Sequence, residues 1–429
     1  MVPKDKRLDV VLDGAAIGVV EQKRAGSLVL SYDGSWRESA DAYPLSLSMP
    51  LALEEHSDKV VRPFLEGLLP DNANVLAKWA KEFHVSPRNP FALLTHMGEE
   101  CAGSVQFVTP GRLSAVVASE EDSVKWLTEA GIAERLRDAM DRHGTGRLAG
   151  DHGHFSLAGA QPKTALFYDG NRWGIPRGAV PTTHILKPPA QEDLDGFDVN
   201  EHFCLRLASE LGLAAAKSSV QEFDGERAIV VERYDRISTA DNRIVRLHQE
   251  DTCQALAVPP WKKYENEGGP GAPEIVKLLL DHSSDAATDV AAFIDALALN
   301  WAIGGTDAHA KNYSILLSAK AVRLAPLYDL LSALPYPKML DKKRLKSAMR
   351  VDSEYLVWKV RGRHWEGLAG RCDLDPEPLV ERVADVVGAV PAAAEATASY
   401  VRDEGIDDPI VDRLEEAMVA HAAECLAGL

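Results

Sequence analysis

Apolar and polar positions alternate in short runs through the first 110 residues, and turn signals cut the runs apart. Residues 8–12, 16–20 and 28–31 read as strands, with Asp13-Gly14 and Asp33-Gly34 marking turns. Helical pieces follow at 63–69, 72–83 and 90–98. A polar stretch at 120–142 predicts a helical connection ending in His143-Gly144-Thr145-Gly146. A strand-rich unit begins beyond it. Residues 163–168 and 172–175 flank Asp169-Gly170-Asn171, a hairpin signal, and 182–186 is a β-prone run that stops at Lys187-Pro188-Pro189. Phe203, Leu207 and Leu211 fall at helical spacing within 201–211, with Gly212 as a C-terminal stop. Strands at 220–223 and 227–232 follow, joined through Asp224-Gly225.

Three strands, a helix and two strands make the order of a small α+β lobe. Helical periodicity dominates afterwards, at 273–280, 287–303, 376–387 and 408–426, interrupted by short strands at 313–317 and 322–325. No internal repeat is visible. The expected fold class is α+β, organised in three stretches: 1–110, 111–235 and a mostly helical 236–429.

Composition narrows this picture by exclusion. A chain of 429 residues can hold two or three packed units, and 46% hydrophobic with 26% charged residues is ordinary for a globular protein. The first residues mix acids with bases and the apolar stretch after them is short, so no signal peptide is expected. No apolar run of about 18 residues occurs, so no membrane span is expected and the predicted compartment is the cytoplasm. Cys101, Cys204, Cys253, Cys372 and Cys425 lie far apart without a CxxC pair and read as buried thiols. A formal net charge of −18 argues against broad coating of nucleic acid. It leaves room for one local basic stretch, 338–350, with Lys338, Lys342, Lys343, Arg344, Lys346 and Arg350 against Asp341. That stretch is either a solvated face or a docking surface for an acidic partner or DNA.

Four features stand in the order a phosphotransfer site requires. The first is the small-residue loop Ser156-Leu157-Ala158-Gly159-Ala160-Gln161-Pro162-Lys163, whose backbone N–H groups can approach phosphate oxygens. The second is Lys187, closing an apolar strand and able to point into a cleft toward phosphates. The third is the polar loop Gly304-Gly305-Thr306-Asp307-Ala308-His309-Ala310-Lys311-Asn312, which ends an apolar helix. Asp307 could orient a hydroxyl, Asn312 could give a neutral oxygen to Mg²⁺, and Lys311 could balance charge between them. The fourth is Asp329, a carboxylate after a strand and a second candidate Mg²⁺ ligand. Each feature alone has a plainer reading: a connecting loop, a snorkelling edge lysine, a turn aspartate. Zinc is disfavoured, because His309 lacks an HExxH partner and His248 with Cys253 makes no recognised spacing. His309 reads as an organiser of its loop.

Further motifs join these: Val231-Glu232-Arg233-Tyr234-Asp235, Gln249-Glu250-Asp251-Thr252-Cys253-Gln254, Gly268-Gly269-Pro270-Gly271 and Pro326-Leu327-Tyr328-Asp329. Together they make the chain resemble, over nearly its whole length, the HipA family of serine/threonine kinase toxins of type II toxin–antitoxin modules. The resemblance implies a bilobal protein-kinase-like fold. Residues 1–110 become an N-terminal subdomain, 111–235 the rest of the N-lobe with phosphate loop and hinge, and 236–429 the helical catalytic lobe. It implies ATP and Mg²⁺ as cofactors, Asp307 as the catalytic aspartate, Lys187 on the nucleotide phosphates, and Asn312 and Asp329 on the metal. Ala158, Gly159, Ala160, Gln161, Lys163, Glu232, Tyr234, His309 and Lys311 complete the nucleotide site, the hinge backbone meeting adenine. Ser156 is implied as an autophosphorylation site, where added negative charge would weaken nucleotide binding. Pro162 stands where the family pattern more often has glutamate. The implied protein target is an aminoacyl-tRNA synthetase. The implied partner is a helix-turn-helix antitoxin of the HipB type that carries the chain to operator DNA, giving partial nucleoid association. Two other classes stay open: a catalytically silent co-repressor and a small-molecule or lipid phosphotransferase.

Overall fold

The computed structural model describes residues 6–117, 123–141, 158–159, 161–178, 180–189, 195–239, 243–336 and 341–429. Ser156, Ala160, the 143–146 segment and Lys338 lie outside the described residues.

The first alternating runs form an antiparallel five-stranded sheet ordered Glu55–His56, Leu28–Tyr32, Ala15–Gln22, Lys6–Leu12, Gln106–Val108. Alternation turns Leu8, Val10, Leu12, Leu28 and Leu30 into one core. Helices Asp58–Gly67, Ala73–Glu82 and Pro90–Met97 follow. The first of these starts five residues before Pro63, which lies inside it. The helix tolerates that proline because it buries Val61, Phe64 and Leu65 together.

The polar 120–142 stretch is not all helix. It contributes an edge strand, Ser123–Trp126, and then the helix Glu129–Met140, whose N-cap Thr128 accepts from Gly131 N–H. The strand's mostly exposed residues gave it no apolar signature, and Arg172 stacking 3.8 Å over Trp126 helps fix it. It completes an antiparallel six-stranded sheet ordered Ser218–Phe223, Glu226–Glu232, His184–Lys187, Thr164–Tyr168, Trp173–Arg177, Ser123–Trp126. Leu186 packs outward with Ile132, Leu136, Leu166 and Val230. The period of two therefore turns the next residue, Lys187, to the opposite face, where the cleft lies.

Helix Phe197–Glu210 packs beside this sheet, and the remaining chain is mostly helical. Helix Pro376–Asp403 runs 28 residues, well past the expected end at 387, and carries Pro391 inside it. Burial of Val383, Val387, Val390, Ala394, Ala398 and Val401 outweighs the lost hydrogen bond. A three-stranded sheet of His248–Asp251, Ser314–Leu317 and Val322–Leu324 sits in the helical part and borders the cleft.

Buried ion pairs lock the hinge to the N-terminal sheet. Arg233 and Arg236 contact Glu100 at 3.0 and 3.1 Å, Arg246 pairs with the same carboxylate, and Arg233 also holds Asp235 at 2.8 Å. Burial pushes Glu100 upward, but Arg246, Arg236 and Arg233 outweigh it and hold the carboxyl at about 2. Among the described residues, no helix is long and apolar enough to cross a membrane.

Candidate active site

A cavity of about 440 Å³ lies between the six-stranded sheet and the helical part, and it gathers nearly every described candidate residue. Its lining includes Ala158, Gly159, Gln161, Lys163, Lys187, Glu232, Tyr234, Asp307, His309, Lys311, Asn312 and Asp329.

Lys187 is the centre of charge. Its Nζ donates to Glu201 Oε1 at 2.7 Å and to Asp329 Oδ1 at 2.6 Å. Burial pulls the ammonium's titration down, but Asp329 and Glu201 outweigh it and hold it above the lysine range. Burial alone would raise Asp329; Lys187, then Lys163, instead hold it well below the carboxylate range. Burial pushes Glu201 up, against the opposing pull of Lys187. Glu201 was not singled out from the sequence. Its available signal was an acid on the buried face of the helix that follows the Lys187 strand. Asn200, its neighbour, exchanges hydrogen bonds of 2.8 and 2.9 Å with the Ser332 backbone, so one helix fixes both Lys187 and the segment after Asp329. Asp329 itself has φ +58, a left-handed conformation costly for a residue with a Cβ and typical of sites where aim matters.

The phosphate-loop candidate approaches from above. Gly159 has φ +102, and a Cβ there would sit 2.6 Å from Lys163 Nζ. Lys163 Nζ donates to Ala158 O at 2.6 Å, and Gln161 Nε2 is buried without a partner among the described residues, a donor left for a ligand. Burial, with Lys187 nearby, lowers the Lys163 titration to about 8. Gly159 also bridges to Pro70, and its carbonyl accepts from Asp71 N–H at 3.2 Å.

The catalytic-loop candidate is organised from its backbone. The Asp307 carbonyl accepts from His309 N–H and from Asn312 Nδ2, each at 2.8 Å. The second bond commits the amide nitrogen of Asn312 and leaves its oxygen free for a cation. His309 is buried, with its Nδ1 unpaired among the described residues, and burial lowers its titration to about 4, so it stands as a neutral ring. Lys311 Nζ binds Asp71 Oδ1 at 2.5 Å, and Lys263 Nζ binds the other oxygen at 2.8 Å. Asp71 was also missed from the sequence, since both partners lie about 200 residues away and nothing local marks it.

The hinge supplies backbone groups. Glu232 N–H donates to Lys217 O and Arg233 N–H to Thr183 O, so those donors are committed, while Tyr234 N–H finds no acceptor among the described residues. Tyr234 stacks on Tyr328 at 5.7 Å and donates its hydroxyl to Gln249, giving the cavity an aromatic wall. The Glu232 side chain is exposed. The arrangement joins an aromatic pocket with free hinge groups to a cationic end at Lys163 and Lys187. A carboxylate, an amide oxygen and a second aspartate lie beyond. It suits a nucleotide whose phosphates point at a divalent cation.

Comparison with known proteins agrees over the whole chain. The HipA N-terminal domain family matches residues 8–108 and the HipA-like C-terminal domain family matches residues 155–394. Y4mE of Sinorhizobium fredii is 37% identical over 423 residues, 98% of this chain and 97% of that protein. The serine/threonine-protein kinase toxin HipA of Shewanella oneidensis is 31% identical over 355 residues, 77% of this chain and 75% of that one. A solved HipA chain, in complex with HipB and operator DNA from Shewanella oneidensis, superposes with a TM-score of 0.83 at 24% identity, covering 98% and 97% of the two chains.

Proposed function

The chain belongs to the HipA family, and on that premise we propose that it is an ATP-dependent serine/threonine protein kinase, the toxin of a type II toxin–antitoxin module. The observation that carries this reading is the pairing of Lys187 with both Glu201 and Asp329 across one cavity from Asp307 and Asn312. A lysine held by a helix glutamate, with two separate metal-ligand candidates opposite, is the arrangement kinases use to grip phosphates.

The roles follow from chemistry. Lys187 and Lys163 bind the phosphates of ATP, the hinge carbonyls and Tyr234 N–H meet the adenine, and Asp307 orients the acceptor hydroxyl. A divalent cation fits the donor set, because one carboxylate, Asp329, and the free amide oxygen of Asn312 leave room for water and phosphate oxygens, as Mg²⁺ prefers. When bound, Mg²⁺ would neutralise charge on the transferring phosphoryl group. Rate enhancement rests on positioning and charge, with no covalent enzyme intermediate.

Ser156 is the proposed self-phosphorylation site. A phosphoserine adds about −1.5 to −2 of charge, unfavourable beside Asp329 and the ATP phosphates, so modification switches the kinase off. The proposed protein target is an aminoacyl-tRNA synthetase, and the proposed partner a HipB-type antitoxin that recruits the chain to its operator. The relative solved with HipB and operator DNA supports that assembly.

The test is incubation of dephosphorylated protein with γ-labelled ATP and Mg²⁺, followed by phosphosite mapping. Label at Ser156 in the wild type, absent in Asp307→Asn, is the expected result. Neither ATP binding nor labelled protein would reduce the chain to a silent co-repressor, and label transferred only to sugars or lipids would make it another phosphotransferase.

A further inference from the structure

The Gly268-Gly269-Pro270-Gly271 motif is not among the residues that line the cavity, yet the segment before it reaches Asp307. Tyr264 Oη donates to Asp307 Oδ1 at 2.6 Å. The tyrosine ring meets His309 edge-on, with centroids 5.0 Å apart and planes at 81°, and the neighbouring Lys263 carbonyl accepts from Ala310 N–H at 3.3 Å. Asp307 is otherwise anchored through its backbone. Its carboxylate is exposed, and Tyr264 is its hydrogen-bond partner among the described residues.

The glycine motif keeps that phenol in place. The Tyr264 carbonyl accepts from Glu267 N–H and Gly269 N–H, each at 3.0 Å. A Cβ at Gly269 would fall 1.9 Å from the Lys262 carbonyl oxygen and 2.8 Å from that of Tyr264, so only glycine lets the turn close. At Gly271 a Cβ would meet Glu265 Oε1 at 2.5 Å, and Glu265 is tied to Arg350 through its backbone N–H and its Nε, each at 2.8 Å. The turn is braced on both sides, which suits a fixed support better than a moving gate. Burial first, and then Asp307, push the phenol's titration upward, so it remains a donor at working pH.

We propose that Tyr264 is a positioning residue for phosphoryl transfer, holding one carboxylate oxygen of Asp307 so that the other faces the acceptor hydroxyl. This rests on the kinase reading above. In the step it serves, the acceptor oxygen bonds to the γ-phosphorus as the bond from that phosphorus to the bridging oxygen of ADP breaks. The acceptor proton leaves toward the free Asp307 oxygen, and Tyr264 keeps its own.

The experiment compares initial rates of self-labelling from γ-labelled ATP in the wild type and Tyr264→Phe. ATP concentration is varied, and each protein is read well below its own unfolding midpoint. Tyr264→Phe should lower the maximal rate on the order of 10-fold while the ATP KM moves by less than about twofold. A Tyr264→Phe rate equal to or above the wild type, or a loss that resides in ATP KM, overturns the proposal. A wild type that takes up no phosphate overturns the kinase reading instead, and is told apart by failing before any Tyr264 variant is compared.

Discussion

Lys187 carries a single ammonium between two carboxylates, and the two do different work. Asp329 is partly exposed and free to exchange Lys187 for other ligands, whereas Glu201 is almost fully buried. Glu201→Gln keeps the shape but removes the charge that orders the lysine. The expected outcome is a 10- to 100-fold lower kcat/KM for ATP, on the order of one charged hydrogen bond, measured as phosphate incorporation across ATP concentrations. Glu250 makes a second test at this scale. Burial pushes its carboxyl up to about 8, outweighing the Leu47 N–H at 2.7 Å and the Ser46 hydroxyl, and its second oxygen is left without a close partner among the described residues. The folded state therefore prefers the protonated form, while the unfolded chain titrates near the ordinary 4.5. Stability falls as pH rises through the window between those two values. Glu250→Gln keeps an acceptor for Leu47, so its unfolding midpoint should exceed the wild type's by a few degrees at pH 8 and match it near pH 4.5. Equal gaps at both pH values would contradict the burial argument.

At the scale of elements, the strand ending in Lys187 and the loop from Asp307 to Asn312 were legible because each ends an apolar run in a polar residue. Period two gives Lys187 its face, and the glycine pair after the helix gives the loop its start. The edge strand Ser123–Trp126 was illegible, since an exposed strand at a sheet margin carries no alternation to read. The helix end at Asp403 was missed for the opposite reason: tertiary burial carried the helix through a proline that local rules treat as a boundary. Asp71 shows the limit most sharply, as its meaning comes from Lys311 and Lys263, 240 and 192 residues away. It ties the chain after helix Asp58–Gly67 to the catalytic loop, and both its partner ammoniums are largely buried. Asp71→Ala should cost about 3 kcal/mol, because it strands a buried cation. Adding Lys311→Met should restore most of that loss in chemical denaturation. Additive losses in the double variant would show that the pair is not coupled.

For the whole molecule, the candidate site is distributed over all three stretches of the chain. Asp71 comes from the first, Lys163, Lys187 and Glu201 from the second, and Asp307, Asn312 and Asp329 from the third. A nucleotide that touches every stretch binds only the packed protein, so its binding energy is added to global stability and not to one local opening. At about 100 times its dissociation constant, MgATP should stabilise the fold by about 2.7 kcal/mol and raise the thermal midpoint accordingly. Replacing Mg²⁺ with chelator should leave a smaller shift, from the adenine pocket and the two lysines. In Asp329→Asn the difference between metal and chelator should shrink, because the carboxylate assigned to the cation is neutral while the Lys187–Glu201 pair at 2.7 Å is retained. An undiminished metal-dependent shift in that variant would remove Asp329 from the metal's ligand set. The nucleotide would then have to carry its cation on Asn312 and the phosphates alone.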